Sequence, residues 1–269
     1  MDLVGQYKTE GYAIVRRLIA PFEVAELAAA CDAAHAEGLA HQRSFRHGNL
    51  HYRLDHGELR MVQWASRDHA ALGAFRIDPR IVRLLEPFLG GDIKQIINQV
   101  HWKKPGGRGD FAFHQDSRFR KPVHAYRNLG TSYVQTGFAI DPHNRLSGGL
   151  QFVPRSHLRG DLSLALDDEV MANRPCDDQL QTAGLDPACI IHLDLEPGDF
   201  VLWNPYLVHG SATNEASHYR RFYINGYVRA ADCDRGEWAF RDGAPVRLPE
   251  QPSLVHYEQL YERPEPHYL

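Results

Sequence analysis

The segment Ile191-His-Leu-Asp-Leu-Glu-Pro-Gly-Asp-Phe-Val-Leu-Trp203 decides the fold class. Ile191, Leu193 and Leu195 alternate with His192 and Asp194, as in a strand with one face buried and the other in water. Glu196-Pro-Gly-Asp199 then breaks the chain with turn residues, and Phe200 to Trp203 starts a second apolar run. The same grammar holds from about residue 93 onward. Strands are expected at 93–102, 111–116, 132–140, 149–153, 189–195, 199–204 and 221–228, separated by turns such as Pro105-Gly-Gly-Arg-Gly and Ser147-Gly-Gly. Many short strands with this punctuation predict a mainly β fold, a sandwich or barrel. A double-stranded β-helix, or jelly roll, with flanking N-terminal helices fits best.

Upstream, residues 1–38 read as helix, turn, strand, helix. Gly11-Tyr-Ala-Ile-Val-Arg-Arg-Leu alternates like a short strand. Pro21 suits the first turn of a helix in which Val24, Leu27, Ala28 and Cys31 recur at helical spacing. Leu72, Phe75, Ile81, Leu84, Leu85 and Phe88 predict two more short helices, stopped at Gly90-Gly91. The polar stretch Arg43 to Arg60, with His47, His51 and His56, is expected to form a lid rather than a second metal site, because its spacing matches no zinc motif. The tail from Tyr261 is expected to be an extension without chemical meaning.

The 269 residues, 43% hydrophobic and 24% charged, suffice for a large core, and no linker divides them. One domain over 1–269 is expected: a helical support region (1–92), a jelly-roll core (93–230) and a C-terminal extension (231–269). A formal net charge of −4 argues against general attraction to nucleic acid or an anionic membrane. The N-terminus has no basic region followed by an apolar run, and no stretch reaches the roughly 20 apolar residues of a membrane span, so a cytoplasmic protein is expected. Cys31, Cys176, Cys189 and Cys233 are scattered without C-x-x-C spacing, which predicts free thiols. Monomer and homodimer both remain open.

The candidate chemistry lies in His114-Gln-Asp116, in His209, and in Arg220 eleven residues after it. Alternation along a strand turns His114 and Asp116 to one side and Gln115 to the other. Two imidazoles and one carboxylate form the facial ligand set of non-haem Fe(II) oxygenases, and an adjacent guanidinium suits an anionic co-substrate. His192-Leu-Asp194 repeats the His-x-Asp spacing, so spacing alone does not choose between the pairs.

Residues 93–228 resemble the phytanoyl-CoA dioxygenase-like family of Fe(II)/2-oxoglutarate oxygenases. The matching pieces occur in the family's order. They are Gln99 with Lys103-Lys104-Pro105-Gly106, His114-Gln-Asp116, Phe138-Ala-Ile-Asp, Gly148-Gly-Leu-Gln-Phe-Val-Pro-Arg-Ser-His157, Leu195-Glu-Pro-Gly-Asp-Phe-Val-Leu-Trp, His209-Gly-Ser and Arg220. Glu10-Gly-Tyr-Ala-Ile-Val-Arg-Arg-Leu also resembles the family's opening strand.

The resemblance implies that His114, Asp116 and His209 bind Fe(II) and serve as the catalytic centre. It further implies that Arg220, with Ser211, holds the far carboxylate of 2-oxoglutarate. Gln99 is placed with these co-substrate residues. The pair His192/Asp194 then becomes structural, and the family spacing selects Arg220 over Arg221. Arg155 stands where the family usually has Gly, in a loop expected to be architectural; His157 is expected to stabilise that loop.

The carboxylate of Asp116 implies hydroxylation rather than halogenation, with O2 consumed and succinate and CO2 released. His101, Lys103 and Arg118 are expected to face a small polar or anionic substrate. Cations at Lys103, Lys104, Arg108, Arg118, Arg120 and Lys121 suggest a carboxylate or phosphate on it. Two other readings share these residues: a non-catalytic jelly-roll protein that binds metal or ligand, and an oxidative cyclase or desaturase using the same triad.

Overall fold

The computed structural model describes residues 2–107, 109–162, 164, 170, 175–254 and 265–269. In chain order the strands are β1 (Tyr12–Val15), β2 (Phe45–His47), β3 (Leu50–Asp55), β4 (Glu58–Gln63), β5 (Ile93–Lys103), β6 (Phe111–His114), β7 (Tyr133–Ala139), β8 (Leu150–Phe152), β9 (Ile191–His192), β10 (Phe200–Trp203), β11 (His209–Ser211), β12 (Arg220–Arg229), β13 (Glu237–Arg241), β14 (Ala244–Pro245) and β15 (His267–Tyr268). The helices are α1 (Leu3–Glu10), α2 (Pro21–Ala40), α3 (Ala70–Phe75), α4 (Pro79–Leu89), α5 (Leu129–Ser132) and α6 (Asp177–Thr182).

Two compact units are assembled from non-contiguous segments. The first comprises Met1–Leu18, Trp102–Arg120 and Phe138–Phe222; the second comprises Ile19–His101, Lys121–Gly137 and Tyr223–Leu269.

In the first unit, β6, β11, β8 and β9 form an antiparallel sheet in that order. β1 pairs with β10, Tyr12 opposite Trp203. Leu193 and Leu195 are buried while His192 and Asp194 are exposed, as the alternation requires. Gly198 sits at φ +96°, where a side chain would be strained. The buried Asp199 carboxylate ties the turn down, accepting from the Glu196 and Arg17 amides and from the Arg16 guanidinium. Phe113, Val153, Leu180 and Val208 form a buried cluster. Each such large apolar side chain contributes about 1.5–3 kcal/mol. Packing Phe113 into this cluster turns the next residue on β6, His114, to the opposite side.

In the second unit the antiparallel order is β5, β4, β3, β2, β15, with β13 on β5 and β14 on β13. The stretch expected to be a lid forms β2, β3 and β4. Its turn at His56 (φ 49°) and Gly57 (φ 76°) has the two positive φ values that suit a tight hairpin. α2 starts at Pro21, and Glu23 reaches back to the Ala20 amide. Its buried stripe is Val24, Leu27, Cys31, Ala34 and Gly38. A Cβ at Gly38 would come within 2.8 Å of Leu59 and Tyr52, so this helix packs directly on the sheet. α4 ends at Gly90, whose φ is 76°.

The tail adds β15 against β2; residues 261–264 of it lie outside those described. All four cysteines are free thiols. Among the described residues no helix is long and apolar enough to cross a membrane.

Candidate metal and co-substrate site

The site is built within the first unit. β6 and β11 run antiparallel with His114 directly opposite His209, and the register shifts immediately after this pair. β6 ends at His114. Gln115 stays extended, and Asp116 opens a short 3₁₀ turn. The Gln115 amide points away, donating to the carbonyls of Gly160 and Tyr206 and accepting from the Leu162 amide. Asp116 and His114 are thereby left on the same side. The ligand atoms of His114, Asp116 and His209 all lie within 4.8 Å of one another, and all three residues are buried.

Both imidazoles are oriented by their own strands. His114 Nδ1 donates to the Ala112 carbonyl at 2.8 Å, and His209 Nδ1 donates to the Leu207 carbonyl at 2.9 Å. With the ring proton held on Nδ1, Nε2 keeps its lone pair for a metal. Burial, reinforced by the nearby His209, pushes the His114 pKa down to about 3, so its ring is neutral. His209 Nε2 lies 3.7 Å from Asp116 Oδ2. That same oxygen accepts the Trp203 indole N–H at 2.9 Å. Two imidazoles and a carboxylate, without sulfur, fit iron(II).

The same unit also holds a buried basic group. Arg220 opens β12 at 4% exposure, and burial draws its pKa from 12.5 down to about 9. Its Nη1 lies 3.1 Å from His143 Nδ1, its Nε has no hydrogen-bond partner, and no acidic side chain among the described residues pairs with it. Its neighbour Arg221 faces the other way and is clamped by Asp141, with contacts of 2.7 to 2.8 Å to its backbone amide and guanidinium. Strand alternation therefore leaves Arg220 as the unneutralised fork. Ser211, two residues after His209, accepts from Lys103 Nζ at 2.7 Å. Its own proton is left free to donate to an anion. A buried guanidinium with an orphaned Nε fits a carboxylate guest such as 2-oxoglutarate.

The sequence matches the profile of the phytanoyl-CoA dioxygenase family over residues 7–222. The chain belongs to that family. Its curated relatives include the dioxygenase lolE1 of Epichloe uncinata, 28% identical over 59% of this chain and 54% of that protein. The methylphosphonate hydroxylase of Gimesia maris is 30% identical over 54% of this chain and 48% of that protein. The matched regions thus span only about half the length of these two relatives. Among solved structures, the α-ketoglutarate-dependent carbocyclase SnoK of nogalamycin biosynthesis superposes with a TM-score of 0.64 at 18% identity, covering 92% of this chain and 93% of that one. That likeness concerns the fold: mainly β, the jelly-roll class, with N-terminal helices.

Where the chain departs from the family's usual Gly, Arg155 adopts φ 67°, the left-handed conformation that glycine favours. Its side chain pairs with Glu10 at 2.8 Å, so the loop keeps its shape. His157 sits with its Nε2 3.1 Å from the Lys8 carbonyl, away from the ligand group.

Lys103, expected beside the substrate, binds Ser211 and the carbonyls of Gly148 and Ala212. Gln99 and His101 lie in the second unit on β5, joined by a 3.0 Å bond between Oε1 and Nε2 and paired in register with Gln63 and Met61. Lys121 also belongs to the second unit, and Arg108 lies outside the described residues. Arg118 stays near the triad, close enough to His114 to lower its proton affinity further. Beside it Phe119, 45% exposed, meets the His114 ring edge-on at 5.7 Å.

Reasoning from the sequence missed two contacts of the site. The Trp203 N–H bond to Asp116 and the His143 contact with Arg220 join residues 87 and 77 positions apart. The aromatic at the end of the Pro-Gly-Asp strand was visible in the sequence; its partner was not.

Proposed function

We propose that this protein is an Fe(II)- and 2-oxoglutarate-dependent dioxygenase that hydroxylates a small polar or anionic metabolite, releasing succinate and CO2. The observation that carries the reading is the pairing of two sites in one unit: three buried ligand atoms within 4.8 Å, and a buried Arg220 lacking an acidic partner among the described residues. His114, Asp116 and His209 would hold the iron, which supplies oxygen activation when bound. Arg220 and Ser211 would hold the far carboxylate of the co-substrate. Trp203 fixes the Asp116 carboxylate, and the buried walls exclude water from the centre.

An anionic substrate is supported by Arg118, for which the described residues supply no acidic partner, placed beside His114 with the Phe119 ring. The name of the Gimesia maris relative, a methylphosphonate hydroxylase, points the same way. The protein is read as a single catalytic domain working in the cytoplasm.

The test is anaerobic addition of Fe(II) and 2-oxoglutarate, which should produce a weak visible charge-transfer band. Succinate release should follow when metabolite pools and O2 are supplied, with His114→Ala as the blank. Metal binding without the band would support a non-catalytic binding protein instead. Product analysis separates hydroxylation from cyclisation or desaturation.

A further inference from the structure

His143 is a fully buried imidazole, 0% exposed, that the proposed function does not use. Its Nε2 accepts the Leu150 backbone N–H at 2.7 Å. A backbone amide can only donate, so the single proton of the neutral ring must sit on Nδ1. Nδ1 lies 3.1 Å from Arg220 Nη1, and a guanidinium nitrogen also only donates. Two N–H groups therefore face each other and neither is satisfied. A second ring proton offers no escape. It would break the Leu150 bond and set another positive charge against Arg220, and burial together with Arg220 and Lys103 holds the ring well below its ordinary pKa.

The ring is also held in place. The His143 amide and carbonyl both pair with Leu195 at 2.9 Å, and its face packs on Phe222 with centroids 4.3 Å apart. The imidazole N–H is thus held facing Arg220, and what the two donors lack is a shared acceptor. A carboxylate offers about four lone-pair sites and can accept from both.

We propose that His143 is a co-substrate-binding residue whose Nδ1–H donates, alongside Arg220 and Ser211, to the far carboxylate of the 2-oxo acid. This rests on the function proposed above. It gives that carboxylate a three-donor cradle whose imidazole arm is uncharged, and it explains why Arg220 stays in place without an acidic partner.

The test uses anaerobic Fe(II)-loaded full-length protein and the charge-transfer band as the binding readout. Wild type, His143→Leu and His143→Asn are each titrated with 2-oxoglutarate and with 2-oxopentanoate, which has the same chain without the far carboxylate. Loss of one hydrogen bond to a charged partner should weaken 2-oxoglutarate binding by about 10- to 100-fold in His143→Leu. Asn, which keeps an N–H near the Nδ1 position, should recover most of this, and 2-oxopentanoate should bind all three alike. Equal 2-oxoglutarate affinity in wild type and the Leu variant would overturn the inference. So would an Asn variant as weak as Leu, or an equal loss for 2-oxopentanoate, which would mark His143 as a structural strut.

A measurement on the Zn(II)-loaded wild type is independent of how the variants fold. Nitrogen-15 NMR of the imidazoles should show a protected Nδ1–H on His143 that shifts downfield with 2-oxoglutarate and not with 2-oxopentanoate; an unprotonated Nδ1 would overturn the inference. Absence of any band in the wild type would instead overturn the function proposed for the site as a whole.

Discussion

Replacing Arg220 by Met should strengthen the ligand-free fold while nearly abolishing co-substrate binding. The guanidinium is 4% exposed and its pKa falls from 12.5 to about 9, with burial the main cause. At ~1.4 kcal/mol per tenfold change in proton affinity, the charged form is held in the fold at a cost of about 5 kcal/mol, an upper bound. The sign follows from proton counting. Between pH 9 and 12.5 the unfolded chain binds the proton and the folded chain does not, so stability rises with pH across that window. Below pH 9 the penalty is fully present. Met removes the charge and keeps most of the volume. Substitutions of this kind recover about 1–4 kcal/mol, and each kcal/mol raises Tm by about 2–4 °C or slightly less in a chain of 269 residues.

The same change removes two charge-assisted bonds of about 1.5–3 kcal/mol each, which lowers 2-oxoglutarate affinity by roughly 10²- to 10⁴-fold. Thermal unfolding of the ligand-free protein and anaerobic titration of the charge-transfer band read the two effects separately. An Arg220→Met protein that melts lower and still binds 2-oxoglutarate normally would refute the argument and make Arg220 a structural residue.

Two further outcomes follow from the ligand group. Trp203→Phe keeps an aromatic ring, though a smaller one, and deletes the N–H held by Asp116. Iron(II) affinity, read by chelator competition, should fall about 10- to 100-fold with little loss of fold; unchanged affinity would show that the carboxylate needs no such support. His114 binds no proton in the fold until about pH 3, whereas the unfolded chain takes one near 6.5. The metal-free protein should therefore lose up to about 1.4 kcal/mol of stability per pH unit as pH falls through that interval. Denaturant titrations of His114→Gln should show a correspondingly shallower slope, and an identical slope would count against a neutral buried ring.

Much of this protein is legible in its sequence. Alternation in Ile191 to Leu195 and the Glu196-Pro-Gly-Asp turn are local properties, and they set the strands and turn with His192 and Asp194 facing water. Family resemblance named His114, Asp116, His209 and Arg220, because a metal or anion site needs particular residue types and the family carries them in a fixed order along the chain. The polar stretch from Arg43 to Arg60 gave no strand signal in the sequence because its strands are short and rich in charge. Only pairing with neighbouring strands shows that its polar residues sit within a sheet.

Tertiary structure alone decided which polar atoms meet. Lys103 binding Ser211, Trp203 donating to Asp116, and His143 set against Arg220 are contacts across 77 to 108 residues of chain. Hydrogen bonds form over about 3 Å and depend on direction. No periodicity encodes such a meeting; it exists only once register and packing have set the strands side by side.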